Sequence, residues 1–167
     1  EWRFEDSGEA AADEWFALDF DDSEWNSGPG LLGHEDDQLE MPLLTPVDYK
    51  QGKVAYYFRT TFEFSKDTEG ATARVAHYVD DGAVFYLNGE EFGERFRMPI
   101  DDVIDFETLA ANGGDARRNL FTFDPALLKT GENTLAVEVH QASLRSSDVV
   151  FGLQLTIELE PNQPDRT

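Results

Sequence analysis

The chain has 167 residues, 40% of them hydrophobic, which is enough for one packed domain, but no run reaches the roughly 20 apolar residues of a membrane helix. With 35 Asp and Glu against 13 Lys and Arg, the net charge is −22. This charge repels nucleic acid and anionic lipid, so we expect neither as a partner. The absence of cysteine excludes disulfides, thiolate metal sites and Cys nucleophiles.

The first 40 residues are the most acidic part of the chain, with fourteen Asp or Glu against the single Arg3. They also carry aromatic anchors, among them Trp2, Trp15 and Trp25. Because burial of such rings dominates core energetics, this segment is predicted to form loops and short strands wrapped onto a core rather than a disordered tail.

From residue 54 onward, apolar and polar residues alternate with the period of two that a strand with one buried face requires. Asn88-Gly89 predicts a hairpin, with a return strand from Glu90, and Asp124-Pro125 predicts a turn or short helix. The other strands are expected at about 56–64, 74–79, 83–87, 121–123, 134–140 and 151–159.

Residues 93–119 lack clean periodicity and predict a long irregular excursion with one helical turn at 106–111. The whole pattern predicts an all-β fold, an antiparallel β-sandwich over residues 1–160, and the proline-containing segment 161–167 is expected to be a linker or tail. The residues expected in the core are Phe58, Phe62, Phe85, Leu87, Leu135, Val137, Leu153 and Leu155.

Two runs, VDDGAVFYLNG at 79–89 and LKTGENTLAVEV at 128–139, resemble the galactose-binding-like jelly roll. The same pair occurs in the sugar-binding domains of family 2 glycoside hydrolases. A closer resemblance is to accessory domains appended to secreted bacterial hydrolases, phosphoesterases and large surface proteins. It is carried by FDDSEW at 20–25, YFRTTF at 57–62, VHQAS at 139–143 and SSD at 146–148, with GPGLLG at 28–33 as a looser match.

The resemblance covers about residues 2–159 and implies a jelly-roll sandwich. It also implies a non-catalytic carbohydrate-binding or targeting module of a larger secreted or cell-surface enzyme, with a polysaccharide or oligosaccharide as ligand and a catalytic domain in the same chain. Domains of this kind often hold one structural Ca²⁺, so the resemblance implies such an ion, but the sequence does not identify its ligands. Asp19, Asp21 and Ser23 have calcium-loop spacing, yet Glu24 stands where an EF-hand needs Gly.

The candidate ligand-binding residues are His140, Gln141, Arg97, Tyr57, Tyr86 and Asp148. Arg97 lies in the irregular excursion, whereas His140, Gln141 and Asp148 follow a strand, so we expect a site where these two loops meet at one end of the sandwich. His140 either binds a sugar hydroxyl or holds a loop, and the second interpretation is slightly favoured.

Tyr57 and Tyr86, with Arg59, fall on the polar phase of their strands. They are expected to line a wet sheet face where aromatic rings stack on sugars. The alternatives are ordinary cross-strand pairing, or a face covered by the excursion.

Motifs for catalysis are missing from the sequence: it contains no Gly-x-Ser-x-Gly elbow, no phosphate-binding loop and no His-Glu-x-x-His pair. We therefore expect no enzymatic activity. Two other classes stay open, namely a structural spacer or protein-interaction domain without a small ligand, and a small hydrolase that uses acidic residues.

Overall fold

The computed structural model describes residues 1–36, 38–100 and 103–159. Within these residues eleven strands form: β1 (Trp2–Glu5), β2 (Asn26–Gly28), β3 (Leu32–His34), β4 (Thr45–Pro46), β5 (Ala55–Phe64), β6 (Thr72–Asp80), β7 (Gly82–Leu87), β8 (Glu90–Glu91), β9 (Arg118–Phe123), β10 (Gly131–His140) and β11 (Val149–Glu158). A 3₁₀ turn at Pro125–Leu127 is capped by the side chain of Asp124, which accepts a hydrogen bond from the Ala126 N–H. No helix in the described part of the chain is long and apolar enough to span a membrane.

The strands build two sheets that pack as a sandwich. One sheet has six strands in the order β2-β1-β5-β10-β7-β8, and the other has five in the order β4-β3-β11-β6-β9. Every pair of neighbouring strands is antiparallel except β3 with β4. The predicted all-β sandwich is confirmed.

The main core lies between the two sheets, where the apolar phases of the long strands meet. Phe58 of β5 stacks on Phe151 of β11 with ring centroids 4.2 Å apart. Five of the predicted core residues are buried, namely Phe58, Phe85, Leu87, Leu135 and Val137, and the other three, Phe62, Leu153 and Leu155, are half-buried against the same core. Alternation in the sequence therefore identified the buried faces correctly.

A second aromatic layer covers the outer face of the six-stranded sheet. Trp15, from the acidic front segment, lies 4.8 Å from the Tyr57 ring, and Phe16 stacks on Tyr86 at 4.6 Å. The expected wet face is therefore wrong for Tyr57 and Arg59, which are only 3% and 1% exposed. The physical reason is that the front segment buries its own rings against this face.

Several local predictions can be compared with the structure directly. Asn88 and Gly89 have φ of 55° and 89° and close the predicted β7–β8 hairpin. The helical turn predicted at 106–111 is wrong: Asp105 makes one short turn, in which its carbonyl and carboxylate accept hydrogen bonds from Thr108 and its carboxylate another from Glu107. Strand β9 begins at Arg118, within the predicted excursion. The predicted linker at 161–167 lies outside the described residues.

Candidate functional site

The strand register brings the predicted loops to one end of the sandwich. His140, the last residue of β10, pairs with Gly82 at the start of β7, and Val150 of β11 pairs with Asp80 at the end of β6. The Ala110 N–H donates to the Gln141 carbonyl over 3.0 Å, so the excursion and the segment after β10 are in contact. We call this region the loop end.

Asp81 is the centre of the loop end. Its Oδ1 accepts the Gly114 N–H at 2.8 Å, and its Oδ2 accepts the Ala142 N–H at 2.7 Å and the Ser146 hydroxyl at 3.1 Å. This carboxylate, in a residue only 6% exposed, therefore joins both loops to the β6–β7 corner. Three hydrogen bonds from two loops to one buried side chain make this connection firm.

Arg97 reinforces the same corner from the excursion. Its Nη1 donates to the carbonyls of Asp81 and Gly114, and its guanidinium lies 4.7 Å from the centre of the Phe96 ring. The side chain is half-buried. The sequence suggested that Arg97 donates to a ligand. In the structure its Nη1 donates to the protein itself.

His140 is fully buried and holds the excursion. Its Nδ1 lies 2.7 Å from the Thr108 carbonyl oxygen, and its Nε2 lies 3.0 Å from Glu138 Oε2. A carbonyl oxygen only accepts, so Nδ1 carries a hydrogen, and the second contact needs another hydrogen between Nε2 and Oε2. Tyr86 extends this chain, because its hydroxyl donates to Glu138 Oε1 over 2.5 Å. These contacts support the loop-holding interpretation of His140.

Gln141 is 1% exposed and turns inward as well. Its Nε2 donates to the Asp148 carbonyl over 2.5 Å, whereas its Oε1 is buried without a hydrogen-bond partner among the described residues. The structure thus brings Arg97, His140, Gln141 and Asp148 to one end of the domain, as predicted. Tyr57 instead lies beneath the front segment and is not part of the loop end.

Three carboxylates form a cluster beside this network: Glu35 after β3, Asp80 at the end of β6 and Asp148 before β11 each place one oxygen within 4.8 Å of the others. Burial and the charges of Asp148 and Asp81 raise the pKa of Asp80 to about 8. Burial and the charge of Glu35 raise the pKa of Asp148 to about 6. Asp148 was predicted as a site residue from the sequence, whereas Glu35 was not, because only the sheet register shows that these residues are neighbours.

The cluster suits a hard cation. Carboxylate oxygens are the ligands that Ca²⁺ prefers, and a divalent charge would offset the burial and the repulsion that raise the pKa values of Asp80 and Asp148. The three residues therefore fit the ion that the resemblance implied.

The chain is similar in fold to parts of several solved glycoside hydrolase structures. No protein-family model matches the chain, and no curated protein matches it in sequence. Among solved structures, it is similar to a family 2 glycosyl hydrolase from Bacteroides cellulosilyticus, with 14% identity and a TM-score of 0.54 over 93% of this chain and 20% of that one. A β-glycosidase from Bacteroides vulgatus gives 16% identity and a TM-score of 0.52 over 92% of this chain and 19% of that one.

A third similar structure is a calcium-binding mutant of β-glucuronidase 2 from Bacteroides uniformis, with 16% identity and a TM-score of 0.52 over 90% of this chain and 17% of that one. The chain therefore spans about one fifth of the length of these proteins or less. The resemblance to a domain of family 2 glycoside hydrolases is confirmed at the level of the fold.

Proposed function

We propose that the chain is a non-catalytic accessory domain of a larger secreted glycoside hydrolase and that it binds carbohydrate for that enzyme. One observation carries the proposal: over nine tenths of the chain superposes on a domain that makes up only about a fifth of two glycosidases. In this proposal another part of the longer chain carries out the chemistry, and the present domain contributes binding or positioning.

The proposal includes one bound calcium ion at the loop end. Glu35, Asp80 and Asp148 would hold one Ca²⁺, which would supply positive charge to three crowded carboxylates and tie together the segments that carry them. One of the similar structures is a calcium-binding mutant of a glucuronidase, which is consistent with this role. The ion would be structural, because buried Asp80 faces the protein interior rather than a substrate.

A second candidate is a spacer or protein-docking domain with no small ligand. It is favoured by one specific observation, namely that Asp81, Arg97 and His140 all direct their polar atoms into the loop end itself. If these residues only stiffen the domain, the loop end serves as a rigid joint to a neighbouring domain.

Affinity electrophoresis of the isolated domain in gels that contain soluble polysaccharides separates the two candidates. We expect retardation by at least one neutral plant or algal polysaccharide, with the affinity then measured by isothermal titration calorimetry. Full mobility in every gel, from a domain that unfolds cooperatively in urea, would overturn the carbohydrate role and leave the spacer.

The gene that encodes the segment provides an independent test of the accessory role. We expect a glycoside hydrolase catalytic domain and an export signal in the same reading frame. A reading frame that encodes this domain alone, or a catalytic domain of unrelated chemistry, would contradict the proposal.

A further inference from the structure

The outer faces of the two sheets differ. The front segment covers the six-stranded sheet, whereas the five-stranded sheet has a cleft of about 420 Å³ on its outer face. The cleft lies within the range of roughly 300–1,000 Å³ typical of small-ligand pockets. Its lining includes Trp2, Met41, Tyr78, Arg118, Gly152 and Gln154.

Strand register explains how this cleft is built. Tyr78 of β6 lies between Arg118 of β9 and Gly152 of β11, so one aromatic ring stands beside a residue without a side chain. In the next row Ala76 pairs with Gln154. Leu31 packs over Gly152, where an added Cβ would lie 2.4 Å from Leu31 Cδ1. Leu31 therefore occupies the space over Gly152 and lines the cleft there, while Ala76 in the next row adds only a methyl group to the lining.

The polar groups at the cleft are free to bind. Tyr78 is half-buried while Arg118 and Gln154 are exposed, and their side chains make no hydrogen bond or ion pair with any residue that the structure describes. This distinguishes them from Arg97 and His140, whose polar atoms are engaged at the loop end. The Tyr78 ring packs partly against the cluster of Leu31, Ala116 and Val150. Arg118 pairs with Tyr78 and Gln154 lies one row away, so the exposed part of the ring has a guanidinium and an amide near it that can bind hydroxyls.

We propose that this cleft is the carbohydrate-binding site and that it takes a neutral polysaccharide segment, with a sugar ring on Tyr78 and hydroxyls bonded to Gln154 and Arg118. The inference rests on the proposed carbohydrate role and moves the site from the loop end to the sheet face. Neutral sugar is favoured because the net charge of −22 repels polyanions, and Arg118 is a single cation at the cleft.

The test compares variants of the whole domain on whichever neutral polysaccharide it binds, with laminarin, xylan, galactan and galactomannan as probes. We expect at least a tenfold loss of affinity for Tyr78→Ala and at least a threefold loss for Gln154→Ala. Tyr78→Phe keeps the ring and should stay within threefold of the wild type. Thr122→Ala, on the exposed side of the same sheet, and His140→Gln, at the loop end, are controls that should bind normally when folded.

An NMR titration of the unmodified domain guards against variants that misfold. We expect the largest shift changes at the amides of Ala76, Tyr78 and Gln154 rather than at those of Gly114 or Ala142. If Tyr78→Ala binds with wild-type affinity, or if the chemical-shift changes are confined to the loop end, the cleft is not the binding site. The proposed carbohydrate role would remain intact.

The remaining outcomes concern the ligand. Binding to polygalacturonate or alginate alone, lost on Arg118→Ala, would overturn the neutral-sugar assignment. If no polysaccharide binds a folded domain, the proposed carbohydrate role fails and this inference fails with it.

Discussion

Arg59 and Asp22 form an ion pair under the front segment, with Arg59 Nε 2.8 Å from Asp22 Oδ2. The same guanidinium donates to the carbonyl oxygens of Trp15 at 2.5 Å and Ala17 at 2.9 Å. Its Nη2 also donates to the Phe20 carbonyl at 3.4 Å, so one side chain of β5 binds four residues of the acidic front segment. Two of the runs behind the family resemblance, 20–25 and 57–62, meet at this contact.

Replacement of Arg59 should release the front segment. Arg59→Met leaves Asp22 and three carbonyl groups without their donor. Loss of one partner of a largely buried pair costs up to about 3–5 kcal/mol. We expect a loss of this size in urea unfolding. The matched control is Arg74→Met, since the Arg74–Glu158 pair has both side chains about half exposed, and exposed pairs contribute only about 0–1 kcal/mol. Equal losses in the two variants would contradict the role of Arg59.

Asp81 should control the order of both loops at the loop end. In Asp81→Asn one carboxylate oxygen becomes an amide nitrogen, so it can no longer accept both the Gly114 and the Ala142 N–H, and we expect a cost of about 1–3 kcal/mol. Hydrogen exchange should accelerate at Gly114 or Ala142. Asp115→Asn changes a carboxylate that is 80% exposed and should leave both amides protected. Unchanged exchange in Asp81→Asn would show that the loops are held by other contacts.

His140 is expected to matter for stability whether or not a ligand binds. His140→Ala leaves the Thr108 carbonyl and the buried Glu138 Oε2 without the His140 ring, although Glu138 Oε1 keeps the Tyr86 hydroxyl, and this should cost about 2–4 kcal/mol. Thermal unfolding measures the loss, and faster proteolysis within residues 103–112 would report the released excursion. A melting temperature within two degrees of the wild type would show that His140 does not hold this loop.

The buried His77 should make the folded domain less stable in acid. It is 2% exposed among the Phe85, Phe96 and Phe121 rings, and burial, with the charge of Arg97, lowers its pKa from the usual 6.5 to about 4. Between these values the unfolded chain binds a proton that the folded domain does not. The contribution of neutral His77 to the free energy of unfolding is therefore fully present above about pH 6.5. It falls by roughly 3 kcal/mol as the pH decreases toward 4.

The contribution of His77 can be isolated with His77→Leu. Asp80 and Asp148 also titrate in this range, with the opposite sign, but they are common to both proteins. We expect the difference in unfolding free energy between variant and wild type to shift in favour of the variant as pH falls from 7 to 4. A difference that does not depend on pH would contradict the lowered pKa.

Calcium should stabilise the domain through the carboxylate cluster. We expect millimolar Ca²⁺ to raise the melting temperature by several degrees and EDTA to reverse the effect, because an ion bound only to the folded state adds its binding free energy. Asp80→Asn and Asp148→Asn should abolish the response. Asp36→Asn, an exposed neighbour of the cluster, is the control. A calcium response retained by both cluster variants would place the ion elsewhere.

The sequence predicted the sandwich because each long strand carries its own evidence. Alternation at Phe58, Phe85 and Val137 needs no knowledge of the partner strand. The covered face at Tyr57 and Arg59 was missed because a polar phase shows only that a residue does not face the main core. The rings that cover it lie about forty positions earlier, and their presence in the front segment was the available signal.

The candidate site was harder to predict for a related reason. Arg97, His140 and Asp148 were correctly assigned to one end, since loops that leave neighbouring strands converge there. Whether a polar side chain turns outward or inward depends on distances that the sequence does not contain, and here Arg97 and His140 turn inward. The sheet-face cleft depends on Tyr78, Arg118 and Gly152 standing in register on three strands, and this register was not available from the sequence.

Most of the described edges of the two sheets are short. Three of the four edge strands, β2, β4 and β8, are only two or three residues long, and β4 ends at Pro46, which has no N–H to offer. Only β9 presents six residues, of which three are exposed. A strand of another chain therefore finds little backbone to pair with at three of the four described edges, and β9 is the edge where such pairing would have to occur.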